Sequence, residues 1–265
     1  MFLIVVKLLV TIGVVLGISS IAERVSPRVA GILAGYPLGS SIVLFFFGIE
    51  NGAVFAAQSA VYMTAGLVAE LVFLFCYYKI SSIVHGDRVH AIVLSSVGAC
   101  IGFVVVIWLL HTIDFNLVTA TLTYLTGLLI CIFLFRTIRD TTIETRIQLN
   151  VPTILLRAFL AGIIVLLITG SAFAVGSTWA GLFAAFPVTL YPLILIIHWT
   201  YGKEHVHTFI KHIPRGLGSL LVYMVSVVML YPRYGVYVGT GFSLAIATVY
   251  LVAYQFIVKT RSAAS

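Results

Sequence analysis

The chain has 265 residues, of which 62% are hydrophobic and only 9% are charged. A soluble domain carries about 25% charged residues, so this chain has too little polar surface to fold in water. The formal net charge of +7 would suit a nucleic-acid ligand, but the basic residues stand singly in short loops. That pattern excludes nucleic acid and favours the lipid bilayer as the partner. We therefore predict an all-α, polytopic membrane protein.

Nine apolar segments are long enough to span a bilayer, which takes about 20 residues. In chain order they cover residues 2–22, 29–49, 53–79, 88–112, 116–136, 152–174, 178–199, 208–231 and 235–258. Short polar sequences separate them, among them ENG after the second segment and TYGKEHVH after the seventh. The first segment is too long for a signal peptide and has no charge before Lys7, so we expect a retained helix.

The Lys and Arg residues are distributed unevenly between alternate loops. Twelve of the 15 lie in loops of one side, only Arg233 lies on the other, and Lys7 and Arg157 lie inside predicted helices. The side rich in basic residues is cytoplasmic in membrane proteins. We therefore predict a multi-pass protein of the inner (plasma) membrane with its N-terminus outside and its C-terminus in the cytoplasm, which requires an odd number of helices.

The two halves of the chain resemble each other at a constant offset of 150 residues. VAGILAGYP at 29–37 corresponds to WAGLFAAFP at 179–187. We predict a four-helix repeat over 1–112, a connecting helix and cytoplasmic linker over 113–150, and a second repeat over 151–265. The connecting helix inverts the second repeat relative to the first, so nine helices form a 4+1+4 arrangement. Inverted repeats are typical of secondary transporters.

The strongest motif is AGLFAAFPVTLYPLILIIHWTYGKE at 180–204, which follows a helix containing Arg157 and has a looser copy, AGILAGYPLGSS, at 30–41. This pattern resembles the GlpM-like family of small bacterial inner-membrane proteins. The first half departs from it at Ile42, where the second half has Pro192. The resemblance implies a link to exopolysaccharide production, for which the family has no settled mechanism. The doubled four-helix unit is also similar in architecture to the drug/metabolite transporter superfamily.

Pro37 and Pro187 each lie about a third of the way into an apolar segment. A proline frees a backbone carbonyl one turn earlier, and in lipid that carbonyl must be satisfied by a neighbour or line a cavity. Gly31 and Gly181 precede these prolines and allow close backbone approach. Two interpretations stay open: helices kinked for packing, or interrupted helices that line a substrate path.

Three charged residues lie inside apolar segments. Lys7 and Arg157 occupy equivalent repeat positions; they either extend to the membrane interface or form a pair of cationic groups that attract an anion. Glu70 is the only acidic residue deep in an apolar segment. It forms a structural ion pair or hydrogen bond, for which Lys7 is a candidate partner, or it is a proton-coupling carboxylate.

Signatures of catalysis and of metal or cofactor binding are missing from the sequence. It contains no nucleotide-binding glycine loop, no H-E-x-x-H and no G-x-S-x-G, and its three cysteines are scattered in apolar runs. His207, Lys211 and Arg215 share one helical face, which suits a solvated cytoplasmic surface, an electrostatic collar or, less simply, a metal site. We expect no catalytic residue, metal or cofactor.

These observations predict a secondary transporter or exporter of a small anionic metabolite or lipid-linked intermediate, working by alternating access. A non-transporting assembly protein of an envelope polysaccharide pathway and an intramembrane enzyme acting on lipid head groups remain alternatives. A central cavity lined by both proline motifs would favour transport, whereas a fully packed interior would favour the assembly role.

Overall fold

In the computed structural model, residues 2–22, 36–84, 86–138 and 151–263 are described. Within these ranges all regular structure is helical, as the sequence predicts. The helices are α1 (Phe2–Ala22), α2 (Leu38–Asn51), α3 (Ala53–Ile83), α4 (Arg88–His111), α5 (Leu117–Phe135), α6 (Val151–Ala184), α7 (Leu190–Tyr201) and α8 (Lys203–Ala263). Five helical ranges are long and apolar enough to cross a membrane, namely Ala53–Ile83, Arg88–His111, Leu117–Phe135, Pro152–Ala184 and Gly216–Tyr254.

Helix α3 lies at the centre of the bundle. It packs against α2, α4, α5, α6 and α8. In its most apolar stretch of 18 residues 67% are buried, compared with 22% in the corresponding stretch of α5. Helix α5 packs against α3 and α8, where the Tyr124 hydroxyl donates to the Leu217 carbonyl over 3.1 Å. The other faces of α4 and α5 expose large apolar side chains such as Val104 and Leu129, as helices in contact with lipid do.

Single glycines replace several of the expected loops. Gly52 and Gly202 have φ values of 94° and 93°, a left-handed conformation open to glycine at little cost. Each forms a one-residue corner between two helices. The prediction of a loop over TYGKEHVH is therefore wrong, because α8 begins at Lys203 immediately after the corner. Gly176 and Gly235 likewise divide α6 and α8 into two helical segments each.

The predicted seventh segment is interrupted near its middle. Helix α6 ends at Ala184 and α7 begins at Leu190, so residues 185–189 form a non-helical connection. Hydrogen bonds of 2.7 Å from Val188 N to Phe186 O and of 2.8 Å from Tyr191 N to Pro187 O shape this connection. At an offset of 150 residues, Leu38 N donates to Tyr36 O and Ser41 N to Pro37 O, both over 2.8 Å. The backbone therefore turns in the same way ahead of α2 and α7.

Side-chain contacts at the helix ends fall into two sets, one at each end of the bundle, which we call the first and the second rim. At the first rim Lys7 bonds to Glu50, Ser177 bonds to Gln58, and His111 stacks on Trp179. The second rim joins Arg88 to the Trp199 carbonyl, Ser81 to His207, and Lys211 to the Ile138 carbonyl.

Candidate functional site

A small cavity lies inside the bundle, where the two non-helical connections meet. A Cβ atom added at Gly39 would lie 3.2 Å from Thr189 Cγ2, so the start of α2 lies directly against residues 188–190. The cavity has a volume of about 20 Å³, which is room for one water molecule. It is lined by Tyr36, Gly39, Ser40, Glu70, Phe186, Pro187, Val188, Thr189, Leu190, Leu217 and Leu220. Both proline motifs therefore contribute to one cavity.

Among the described residues of the cavity wall, Glu70 is the only Asp, Glu, Lys or Arg. Its side chain is 5% exposed, and within the described ranges it makes no hydrogen bond or ion pair. The suggestion that Lys7 is its partner is wrong. Leu220, which corresponds to Glu70 at the offset of 150 residues, lines the same cavity. The two equivalent positions of the repeat thus contribute one acidic and one apolar side chain to the wall.

Arg157 of α6 lies inside the protein, at the interruption between α6 and α7. It is 4% exposed, and its guanidinium donates to the Thr189 carbonyl over 3.4 Å. Thr189 is itself part of the cavity wall. Because proline at position 187 prevents a regular helix here, backbone carbonyls of the interruption are open to side-chain donors such as this one.

Lys7 occupies a different environment from Arg157, although the two are equivalent in sequence. Its ammonium group donates to Glu50 Oε2 over 2.7 Å and lies 5.7 Å from the centre of the Phe46 ring. Lys7 is 4% exposed and Glu50 is 22% exposed. The structure therefore places Lys7 in an ion pair at one rim, outside the cavity wall.

Gly181 serves helix packing. A Cβ atom at this position would collide with the Ser59 carbonyl oxygen and lie 2.9 Å from Tyr62 Cβ. Because glycine has no side chain, the backbone at the end of α6 can lie in direct contact with α3. Gly31, its counterpart, lies outside the described residues.

A second polar network, between α3 and the α7–α8 corner, is not predicted from the sequence. The Tyr77 hydroxyl lies 2.8 Å from His198 Nδ1, and Ser81 Oγ lies 2.8 Å from His207 Nε2. Tyr77 and Ser81 are four residues apart and so lie on one helical face. This spacing is the one feature of the sequence from which the two contacts could have been suspected. Burial lowers the pKa of His207 to about 4, although Glu204 acts in the opposite direction. His207 is thus a half-buried, neutral hydrogen-bonding group.

Two helix N-termini point their backbone dipoles at the cavity. Gly39 and Ser40 lie in the first turn of α2, and Thr189 and Leu190 begin α7. A helix N-terminus carries about half a positive charge, so the cavity lies between two partial positive charges. Among the residues that the structure describes, no group of three His, Cys, Asp or Glu could hold a metal ion.

Comparison of the chain with known protein families, with characterised proteins and with solved structures returned no match.

Proposed function

We propose that this protein is a secondary transporter of a small anionic solute, and that its substrate path passes through the cavity between the two interruptions. The observation that carries this proposal is the enclosure of one cavity by the segments that follow Tyr36 and Phe186. Interrupted helices from two repeats that meet inside the bilayer are the usual substrate site of secondary transporters.

The inverted 4+1+4 arrangement of repeats 1–112 and 151–265 is part of this proposal. The equivalent hydrogen bonds before α2 and α7 support it, as do the one-residue corners at Gly52 and Gly202. The contacts at the two rims join connections that the basic-residue count assigns to the same side, which fits an external N-terminus and a cytoplasmic C-terminus.

The anionic character of the solute rests on the charges around the cavity. Arg157 reaches the Thr189 carbonyl in its wall, and the N-termini of α2 and α7 add partial positive charge. Lys7 is paired with Glu50 outside the cavity wall, so we assign anion attraction to Arg157, which reaches the wall. A guanidinium fork suits a carboxylate or a phosphate group.

The described conformation is closed. A cavity of about 20 Å³ holds one water molecule and no metabolite. Transport then requires the two repeats to move relative to one another, so that the cavity opens to each side of the membrane in turn.

Labelling of a cysteine in the cavity wall tests this proposal without knowledge of the substrate. In a chain whose three natural cysteines are replaced by alanine, Ser40→Cys should react with a membrane-impermeant thiol reagent added from either side. Thr64→Cys is the matched control: Thr64 is fully buried on α3 and lies outside the cavity wall, so it should stay unreactive. Reaction of Ser40→Cys from neither side, or from one side alone, would contradict alternating access.

The resemblance to the GlpM-like family remains a prediction from the sequence. The alternative to transport is an assembly role in an envelope polysaccharide pathway, which the resemblance and a permanently closed cavity would both favour. If Ser40→Cys stays unreactive from both sides, we would adopt the assembly role in place of transport.

A further inference from the structure

We infer that Glu70 is the proton-binding group of the transport cycle, and that the solute anion and one proton cross the membrane together. This inference rests on the proposed function and names its coupling ion. It is carried by a carboxyl group that is buried, that has no hydrogen-bond or ion-pair partner among the described residues, and that faces the cavity through which the proposed solute path passes.

The environment of Glu70 disfavours its charged form in the closed conformation. The side chain is 5% exposed, and no described residue donates a hydrogen bond to it. A carboxylate removed from water without a compensating donor or cation is strongly unfavourable, and such a group takes up a proton instead. The closed cavity therefore accepts Glu70 as the neutral acid.

The described tyrosine hydroxyls near Glu70 bond to other groups and do not stabilise its carboxylate. Tyr124 of α5 is close enough to interact electrostatically with Glu70, but its hydroxyl donates to the Leu217 carbonyl. Tyr36, ahead of α2, shares the cavity wall, but its hydroxyl bonds to Thr248.

The remaining helices contribute no charged side chain at hydrogen-bond distance in the described ranges. The partial positive charge at the N-termini of α2 and α7 favours the carboxylate, so it acts against burial, which favours the neutral acid. Helix α8 presents Leu217 and Leu220 to the cavity, and α4 contributes nothing to its wall. On α6, the guanidinium of Arg157 reaches the Thr189 carbonyl and forms no ion pair with Glu70.

A metal cation fits this cavity poorly. Cations such as Ca²⁺ and Mg²⁺ take six or more oxygen ligands in about octahedral or larger shells. Besides Glu70, the described wall has only Ser40 and Thr189 as polar side chains that are not already bonded to another helix, and the N-terminal ends of α2 and α7 repel a cation. A proton needs only the carboxyl group and a water molecule, for which the cavity has room.

Coupling follows from repulsion between like charges. An anion at the start of α7 would face the Glu70 carboxylate at short range, so it binds well only after the carboxylate has taken a proton from the solution on the entry side. When the cavity opens to the other side, water enters, Glu70 returns that proton to the solution and the anion dissociates. One anion and one proton have then moved in the same direction.

Infrared spectroscopy of the reconstituted protein tests the proton site directly. The carbonyl stretch of a protonated carboxylic acid should be present at mildly acidic pH and disappear as the pH is raised. The band should be lost in Glu70→Gln at every pH and retained, at a shifted position, in Glu70→Asp. A wild-type band that does not respond to pH, or a band that persists in Glu70→Gln, would overturn the inference.

The same samples show whether the proton controls the cavity. Raising the pH should accelerate labelling of Ser40→Cys, because the charged carboxylate favours a hydrated, open cavity. In the Glu70→Gln background this pH dependence should be reduced to the ordinary ionisation of the thiol. Equal pH dependence in both backgrounds would refute coupling even if labelling occurs from both sides. Failure of two-sided labelling with an intact infrared titration would instead refute transport and leave Glu70 as a titrating group.

Discussion

At the scale of single residues, three charged side chains are buried in the described part of the chain, and each has a different environment. Lys7 forms an ion pair with Glu50, Arg157 donates to a backbone carbonyl, and Glu70 faces the cavity. A buried charge is costly unless it is paired. Lys7 therefore belongs to a structural pair at the first rim, whereas Arg157 and Glu70 lie at the cavity wall, and we assign these two groups to the solute path.

Replacement of Arg157 tests its assignment to the solute. Arg157→Leu should abolish uptake of the transported anion, and Arg157→Lys should reduce it, because lysine keeps the charge but loses the bidentate fork. The measurement is uptake by proteoliposomes of labelled inorganic phosphate, sulfate, acetate and succinate. The double variant Lys7→Met with Glu50→Gln removes the rim pair and should retain uptake. Full uptake by Arg157→Leu would end the anionic-substrate proposal.

The shifted pKa of His207 predicts a pH-dependent stability. Its folded-state value of about 4 lies below the ordinary value of 6.5, so protonation favours the unfolded chain. The contribution of His207 to the free energy of unfolding should be constant above pH 6.5 and decrease as the pH falls from 6.5 towards 4. Thermal unfolding in detergent should show this decrease, and His207→Gln should diminish it. The exposed His90 provides the control, since His90→Gln should leave the pH dependence unchanged.

At the scale of helices, short segments and glycines determine where the chain can change direction. Helices α2 and α7 have 14 and 12 residues, too few to span a bilayer alone. Each starts at the cavity and ends at a glycine corner, Gly52 or Gly202. Because both begin inside the protein, their N-terminal dipoles act on the cavity and not on solvent.

Close packing of α6 on α3 makes Gly181 intolerant of any side chain. Gly181→Ala should lower the midpoint of thermal unfolding, because the new methyl group collides with the Ser59 backbone; a strain of this kind costs about 1–3 kcal/mol. Gly170→Ala on the same helix has open space at its Cβ position and should be neutral or slightly stabilising. Equal effects of the two substitutions would show that α6 and α3 are less closely packed than described.

At the scale of the whole molecule, the proposed orientation in the membrane rests on the basic residues of the second rim, such as Arg88 and Lys211. Asp87 and Asp114 are exposed at opposite ends of α4. In intact cells, an impermeant thiol reagent should label Asp114→Cys in the cysteine-free chain and leave Asp87→Cys unlabelled until the membrane is opened. A reporter before Met1 should likewise be external and one after Ser265 cytoplasmic. The reverse pattern would invert the proposed topology, and labelling of both cysteines from outside would contradict a spanning α4.

The sequence by itself determined the class of protein, the five long apolar helices that the structure describes and a break in regular helix at Pro187. These are local properties: hydropathy summed over about 20 residues and the backbone limits of proline do not depend on distant neighbours. The offset of 150 residues is also a property of the sequence alone, and the equivalent hydrogen bonds before α2 and α7 are related by it.

Only the tertiary structure decided which groups meet. Lys7 pairs with Glu50 and not with Glu70, the non-helical residues before α2 and α7 line one cavity, and Tyr77 and Ser81 bond to histidines more than a hundred residues away. Such pairings depend on the angle at which each helix leaves its corner and on which faces pack together. Gly202 illustrates this: its polar neighbours are typical of a loop, yet one left-handed residue suffices to join α7 to α8, because helix packing on both sides holds the corner in place.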